Sequence, residues 1–335
     1  MTSLPKTHIF TSKINMKILI TGATGLVGSA IVELCQKKNI DVNYLSTSKN
    51  KIVSHANYKG FYWNPSKGDI DLECFDGVTA IINLAGVSIS KRWTSSNKKA
   101  ILNSRINSLK TLRNGLDRVD SNKIESFISA SAIGIYPDSL SSYYSEEEEA
   151  VDDSFLGEVV QAWEKEADTF KKFNFSVAKI RIGLVLSANG GALPEMAKPI
   201  NNYVGAAFGA GDQWQSWIHI NDLSRMFLFM AKNKIQGVFN GVAPNPVCNS
   251  KLVKEIAKQL NKPMILPNIP QFAMKLILGE MSYILFASQR VSSKKIEEEG
   301  FNFHYQNICK ALEGIYSSAN KEKQDNPVSQ TEFLS

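Results

Sequence analysis

Short apolar runs alternate along the first two thirds of the chain with longer stretches whose apolar residues recur every three or four positions. The runs predict buried strands at Lys17–Thr21, Val42–Leu45, Ala80–Leu84, Phe127–Ser131, Val177–Ile182 and Val238–Val242. The helical spacing appears from Leu26 to Leu34 and over Lys98–Val119, Leu156–Lys172, Asp222–Asn233 and Asn249–Gln259. Strands that alternate with helices imply an α/β fold, a doubly wound parallel sheet.

The pattern loosens after Ser187. Asn189–Gly211 is rich in Gly and Pro, and Lys262–Pro270 is rich in Pro. Ser293–Gly300 followed by Phe301–Tyr305 predicts a helix, a glycine stop and a strand. The expected layout is a nucleotide-binding unit at 16–186 plus 215–243. A smaller C-terminal substrate lobe takes 187–214 plus 244–316. Residues 1–15 and 317–335 are polar and expected to be disordered. Met1–Asn15 lacks acidic residues and weakly resembles a transit peptide, but it has no Arg and no clear apolar face.

Composition narrows the class. With 335 residues, 43% of them hydrophobic and 21% charged, the chain has ordinary globular content and can bury a full core. The net charge of +6 is not gathered into a basic stripe, so nucleic acid is not an expected partner. Cys35, Cys74, Cys248 and Cys309 form no CxxC unit, and the four histidines are scattered, so no metal site is expected. No apolar run reaches 18 residues, and none predicts a membrane span. A reducing, cytoplasmic setting and a monomer or homodimer are the expectations.

The chemistry begins at Thr21–Gly28, TGATGLVG. Gly22, Gly25 and Gly28 stand directly after a strand and open a helix. That placement allows a tight turn, a close approach of backbone N–H groups to a pyrophosphate, and close packing of helix on strand. Thr24, Leu26 and Val27 complete the loop, with the phosphates on the helix N-terminus. The second strand runs into Ser46, Thr47, Ser48 and Lys49 without an acidic residue. An enzyme selective for NAD usually places Asp or Glu there for the ribose 2′-OH, whereas hydroxyls and a Lys suit a 2′-phosphate, so NADP(H) is the expected cofactor.

These residues, with NLAG (Asn83–Gly86), Ser129-Ala130-Ser131 and RIGLVL (Arg181–Leu186), resemble the extended short-chain dehydrogenase/reductase superfamily. SRINSL (Ser104–Leu109), SASAIGIY (Ser129–Tyr136), WEKEA (Trp163–Ala167), QWQSWIHINDL (Gln213–Leu223), APNPV (Ala243–Val247) and LGEMSYILFASQRV (Leu278–Val291) resemble its atypical epimerase/dehydratase branch. The resemblance implies a Rossmann-like domain binding NADP(H) and a small lobe closing over the nicotinamide end. It implies that Asn83, Leu84, Ala85 and Gly86 line the cofactor. It also brings Arg105 and the backbone at Gly183 toward that cofactor.

One departure stands out. Active members of the superfamily use Tyr-x-x-x-Lys, yet none of the ten Tyr here has Lys four residues later. Alignment through Trp163-Glu164 puts Leu156 and Val160 at those two positions, and neither can transfer a proton. Ser131 falls where the superfamily has its substrate-orienting Ser, and Tyr136 is the candidate phenol for acid/base work. The same two residues also suit a strand-end cap and a packed aromatic. Arg92 and Arg290 are candidate clamps for an acidic substrate, or else structural ion pairs. His219 is read as structural. The expected activity is hydride transfer on a small polar substrate. The alternatives are a non-catalytic NADP(H)-sensing or scaffold protein and, more distantly, a nucleotide-sugar epimerase.

Overall fold

The computed structural model describes residues 16–325. The expectations for Met1–Asn15 and for the last ten residues lie outside that range. The first strand, β1 (Lys17–Thr21), is flanked by β2 (Asp41–Ser46) and by β4 (Ala80–Asn83). The nine-stranded sheet continues outward through β3 (Tyr58–Asn64) on one side. On the other side it continues through β5 (Ser126–Ala132), β6 (Ser176–Ile182) and β7 (Gly237–Gly241). All of these pair in parallel; only the two-residue strands Ser54–His55 and Asp69–Ile70 pair antiparallel. The chain moves one way from β1 and the other way from β4, so a switch point lies between them, where open α/β sheets bind ligands.

The helices are α1 (Leu26–Lys37), α2 (Ser95–Leu116), α3 (Phe155–Asp168), α4 (Ala192–Asn201) and α5 (Ile220–Lys232), then α6 (Asn249–Gln259), α7 (Gln271–Leu278) and α8 (Ile308–Asp325). Helix α1 packs with α5, and α2 packs with α3. Right-handed crossovers put α1 and α2 on opposite faces. That is why the central strands are apolar on both sides: Ile18, Leu19, Ile20, Ile81 and Ile82 are all fully buried.

Strand β3 has no apolar run to announce it, because its sequence YKGFYWN includes Gly60. A Cβ at Gly60 would stand 2.4 Å from the Tyr44 ring, so the glycine makes room for a neighbouring aromatic. Residues 301–305 form no strand. Phe301 and Phe303 are buried in the main core, and the N–H groups of His304 and Tyr305 donate to Asp222 (3.0 and 2.8 Å) instead of to a neighbouring strand. Ile296, Phe301 and Phe303 therefore belong with the nucleotide-binding unit and not with the lobe.

The lobe has a second core built from Leu186, Leu193, Ile200, Trp217, Leu252, Ile256, Ile308 and Leu312. Helix α8 starts on that core and continues to Asp325, so the expected disordered tail is helical over its first residues. Among the described residues no helix is long and apolar enough to cross a membrane.

His219 caps α5. Its Nδ1 accepts the Asn221 N–H at 3.0 Å, and its ring stacks on Tyr305 at 3.8 Å. The N-cap is thus His219, with Asp222 in the first turn of the helix. Burial lowers its pKa to about 4; the His304 charge adds to this and Asp222 opposes it.

Two predictions follow from this packing. A Cβ at Gly28 would meet the Gly22 carbonyl oxygen at 2.1 Å. Gly28→Ala should therefore destabilise by about 3 kcal/mol, whereas Gly25→Ala should cost ~1 kcal/mol or less. Denaturant midpoints of both variants check this. His219 binds a proton in the unfolded chain below pH ~6.5 but in the folded protein only below about 4. Its contribution is present above pH ~6.5 and drains away as pH falls toward 4, on the order of 2–3 kcal/mol. His219→Asn keeps a capping side chain and should flatten that slope. Parallel pH–stability curves for the variant and the wild type would refute it.

Candidate functional site

The phosphate loop follows from the Gly spacing. Gly22 has φ +70°, a left-handed conformation that glycine adopts without strain. The turn closes with Gly25 N–H donating to Gly22 C=O at 3.0 Å. Gly25 is the N-cap of α1, with no side-chain cap and no acidic residue in the first turn. The N–H groups of Leu26, Val27 and Gly28 have no partner inside the helix. Thr24 and Gly25 are exposed, so this end of α1 faces out with bare donors and a positive dipole end.

The loop after β4 is locked to the loop after β1. The Thr21 hydroxyl donates to Asn83 Oδ1 (2.8 Å) and accepts the N–H groups of Leu84 and Ala85 (3.0 and 3.1 Å). Asn83 Nδ2 donates to the Ser129 hydroxyl at 3.1 Å, and Asn83 is fully buried. Its side chain is a strut across three strand ends. Leu84 and Ala85 are half-buried and Gly86 is exposed. A Cβ at Gly22 would stand 3.1 Å from the Leu84 carbonyl, so the two loops form one lip.

Arg105 on α2 supports that lip. Its guanidinium lies 4.9 Å over the Trp163 ring, and it donates to the carbonyls of Val87 (3.2 Å) and Ile101 (2.9 Å). Its Nε is buried without a partner, and burial lowers its pKa to about 10. Among the described residues no carboxylate pairs with it. A half-buried cation beside Gly86 that no carboxylate neutralises suits an anionic ligand.

At the end of β2, Ser46 is buried, and its hydroxyl is used within its own turn, on the Ser48 N–H and C=O. Thr47 and Lys49 are exposed and Ser48 is half-buried. The Lys49 ammonium lies 5.3 Å from the centre of the Tyr62 ring. Of the four residues expected to touch a 2′-phosphate, three remain free to do so.

The expected catalytic residues are placed differently. Ser131 is 2% exposed and donates to Glu164 at 2.6 Å. Arg181 grips the same carboxylate through Nε (2.8 Å) and Nη2 (3.0 Å). Its Nη1 donates to the Tyr136 hydroxyl at 3.0 Å, and that hydroxyl donates to Asn240 at 2.7 Å. Tyr136 is 0% exposed, and burial pushes its pKa up to about 12, against Arg181. Both hydroxyls are consumed by one internal network, so Tyr136 has no proton to offer the cleft. Burial alone would raise the Glu164 carboxyl, but Arg181, Ser131 and Lys179 outweigh it and hold it below the usual range.

Glu164 was not among the expected site residues. Its signal is its position on α3, four residues after Val160 and three before Ala167, on the apolar stripe. A carboxylate on a buried face demands a partner. Leu156 is half-buried and Val160 is 2% exposed, so the position of the absent acid/base pair is an apolar surface.

Gly183 is required by packing: a Cβ there would meet the Ser216 carbonyl oxygen at 2.2 Å, and its own N–H donates to Gly241. Arg92 is exposed near Gly279, while Arg290 lies between the rings of Tyr143 and Trp214 at 5.1 and 4.5 Å. No contact joins the two arginines. Among the described residues no group of three or more His, Cys, Asp or Glu is arranged to hold a metal ion.

Comparison with known proteins agrees with this geometry. Residues 18–241 match the family model described as NAD dependent epimerase/dehydratase family. Residues 269–315 match a second model, described as a domain of unknown function, DUF1731. An epimerase family protein of Staphylococcus epidermidis is 37% identical over 304 residues, which cover 89% of this chain and 98% of that protein. Among solved structures, human epimerase family protein SDR39U1 with NADPH aligns at a TM-score of 0.78 with 23% identity, covering 90% of this chain and 99% of that one. The nucleoside-diphosphate sugar epimerase of Corynebacterium glutamicum aligns at 0.71 with 29% identity, covering 93% of this chain and 62% of that one. The phosphate loop, the strand order and the matched length all lead to one assignment: the chain belongs to the NAD-dependent epimerase/dehydratase family.

Proposed function

We propose that the protein is an NADP(H)-binding oxidoreductase that transfers hydride to or from a small molecule at the C-terminal edge of the sheet. The observation that carries this reading is the uncapped N-terminus of α1 at Gly25, together with the half-buried Arg105, which no carboxylate among the described residues pairs. A nicotinamide ring, when bound, supplies or accepts the hydride. The chain's own part is position and charge. The N–H groups of Leu26 and Val27 address the pyrophosphate, and Thr47, Ser48 and Lys49 address the 2′-phosphate. The loop Leu84–Gly86, stiffened by Thr21 and Asn83, forms the floor.

No protein side chain in this reading moves the proton. Leu156 and Val160 are apolar, and the hydroxyls of Ser131 and Tyr136 are engaged. The proton on the substrate oxygen therefore exchanges with water. The same observation favours a second reading, in which the cofactor orders the lobe and the protein acts as an NADP(H) sensor without turnover. The family name implies epimerisation, which needs a base, and these residues supply none. We place the protein in the cytoplasm as a monomer or homodimer.

Three outcomes are expected. NADPH should bind at least ~tenfold more tightly than NADH, and Lys49→Glu should narrow that gap severalfold. Fluorescence titration measures both, and equal affinities for the wild type would sink the assignment. Gly25→Val should remove NADPH binding while leaving the melting transition in place, because the new side chain projects where the phosphate sits. Tyr136→Phe should lose ~1 kcal/mol of stability with NADPH affinity and any turnover unchanged. A catalytic phenol would instead lose about 10²-fold or more in rate.

A further inference from the structure

The lobe contains a cavity of about 190 Å³. It begins at Leu184, one residue beyond Gly183 at the end of β6, and its walls include Met196 of α4, Phe208, Val253 of α6, and Ile284 with Leu285. Its walls are held in place. Gln213 is 4% exposed, and its Nε2 donates to the carbonyls of Phe208 (3.2 Å) and Leu285 (2.9 Å), tying two walls together. Asn249 Oδ1 accepts the Phe208 N–H at 3.0 Å. The space is therefore preformed, as ligand sites usually are.

Its position ties it to the reaction edge. Ile284 lines the cavity and also packs, as Leu156 does, against the cluster of Trp93, Ile101, Phe155 and Val159. By the superfamily resemblance Leu156 stands at the acid/base Tyr position, so one apolar cluster joins that position to the cavity wall. Glu195, which is exposed, is the one charged side chain among the lining residues, and two uncharged polar side chains on the wall are spare. The Gln215 carboxamide and the Asn249 amide nitrogen make no hydrogen bond among the described residues, and Asn249 is 2% exposed.

We infer that this cavity receives the apolar part of the substrate, one ring or a short branched alkyl chain, with its oxygen function met by Gln215 and Asn249. The size agrees: an apolar cavity of about 150 Å³ in another protein admits benzene. A hexose does not suit it. Each sugar hydroxyl left without a partner on such a wall would weaken binding by on the order of tenfold or more. Arg92 and Arg290, the candidate clamps for an acidic or phosphorylated substrate, are not on this wall. The substrate class is thus a small apolar alcohol or carbonyl compound, in place of the polar one the sequence suggests. The inference rests on the proposed hydride transfer for its place in a reaction, but binding alone tests it.

The test uses the full chain, saturation-transfer NMR and calorimetry, with benzyl alcohol as probe and UDP-glucose as counter-probe. NADPH titration runs in parallel. Benzyl alcohol ring protons should saturate, cyclohexanol should compete, and UDP-glucose should not. Met196→Trp fills the cavity and should weaken benzyl alcohol at least ~tenfold while NADPH affinity stays within about twofold. Ala192→Phe fills the same space from the start of α4 and serves if the first variant does not fold. Competition by UDP-glucose, or unchanged benzyl alcohol binding in the folded filled variant, overturns the inference. NADPH binding without benzyl alcohol binding overturns this inference and leaves the cofactor reading standing. The reverse result supports the cavity and removes the cofactor reading.

Discussion

A single buried carboxylate organises the reaction end of this fold. Glu164 projects from α3 into the sheet and is met by Arg181 of β6 and Ser131 of β5. Arg181 then reaches Tyr136, Tyr136 reaches Asn240 of β7, and Asn240 Nδ2 donates to the Ser292 carbonyl at 3.0 Å. One chain of charge-assisted bonds thus joins α3, three adjacent strands and a segment just after Arg290–Val291. Such a pair need not add stability over an apolar core of the same shape. Removing one partner is another matter, since a lone buried charge costs about 3–5 kcal/mol. The network consequently constrains which substitutions the site tolerates, and it decides what Ser131 and Tyr136 can do.

The geometry also explains why this face of α3 carries leucine and valine, with Val160 packed against Ile135 and Tyr136. In relatives with the Tyr-x-x-x-Lys pair, that face of the helix carries the proton. Here Leu156 lies against Gly134, whose absent Cβ would stand 3.3 Å from Leu156 Cβ. The helix and the loop after β5 close on each other without a polar gap. Arg105, stacked on Trp163 one turn before Ala167, is paired with no carboxylate among the described residues. This end of the sheet thus keeps the half-buried Arg105 beside Gly86, while the positions of Leu156 and Val160 are apolar.

The parts of this arrangement that were legible in the sequence are those set by local rules. The strand–glycine–helix turn at Gly22–Gly28 is fixed by backbone requirements, and the apolar strands β1, β4, β5 and β6 read correctly because burial on both faces leaves a continuous run. Strand β3 did not read, because its fit depends on Tyr44 filling the space at Gly60. Phe301–Tyr305 read as a strand because alternating aromatics mimic one. Its N–H groups are instead satisfied by the Asp222 carboxylate, a contact 82 residues away in sequence. Tyr136 and Ser131 read as catalytic from their place at a strand end. Only the three-dimensional partners Glu164, Arg181 and Asn240 show that their hydroxyls are already spoken for.

The cavity in the lobe follows the same logic at longer range. Its walls come from segments spread between Leu184 and Leu285, so no local pattern announces it. What sequence does offer is composition: the faces of α4 and of Tyr283–Phe286 that reach the cavity are supplied mainly by apolar residues, Met196, Ile200, Ile284 and Leu285 among them. Binding specificity for polar substrates comes from buried polar groups that are left unsatisfied when the wrong molecule enters. On the cavity wall the buried polar side chain is Asn249, while Gln213 behind it is already committed to Phe208 and Leu285. A pocket built this way discriminates by shape and by the exclusion of hydroxyls. A proton that must come from water then places a further demand on the same pocket, which is that water reaches the substrate oxygen while the apolar end stays dry. Gln215 and Asn249, the spare amides on a wall that is otherwise apolar apart from the exposed Glu195, are the side chains through which both demands can be met at once.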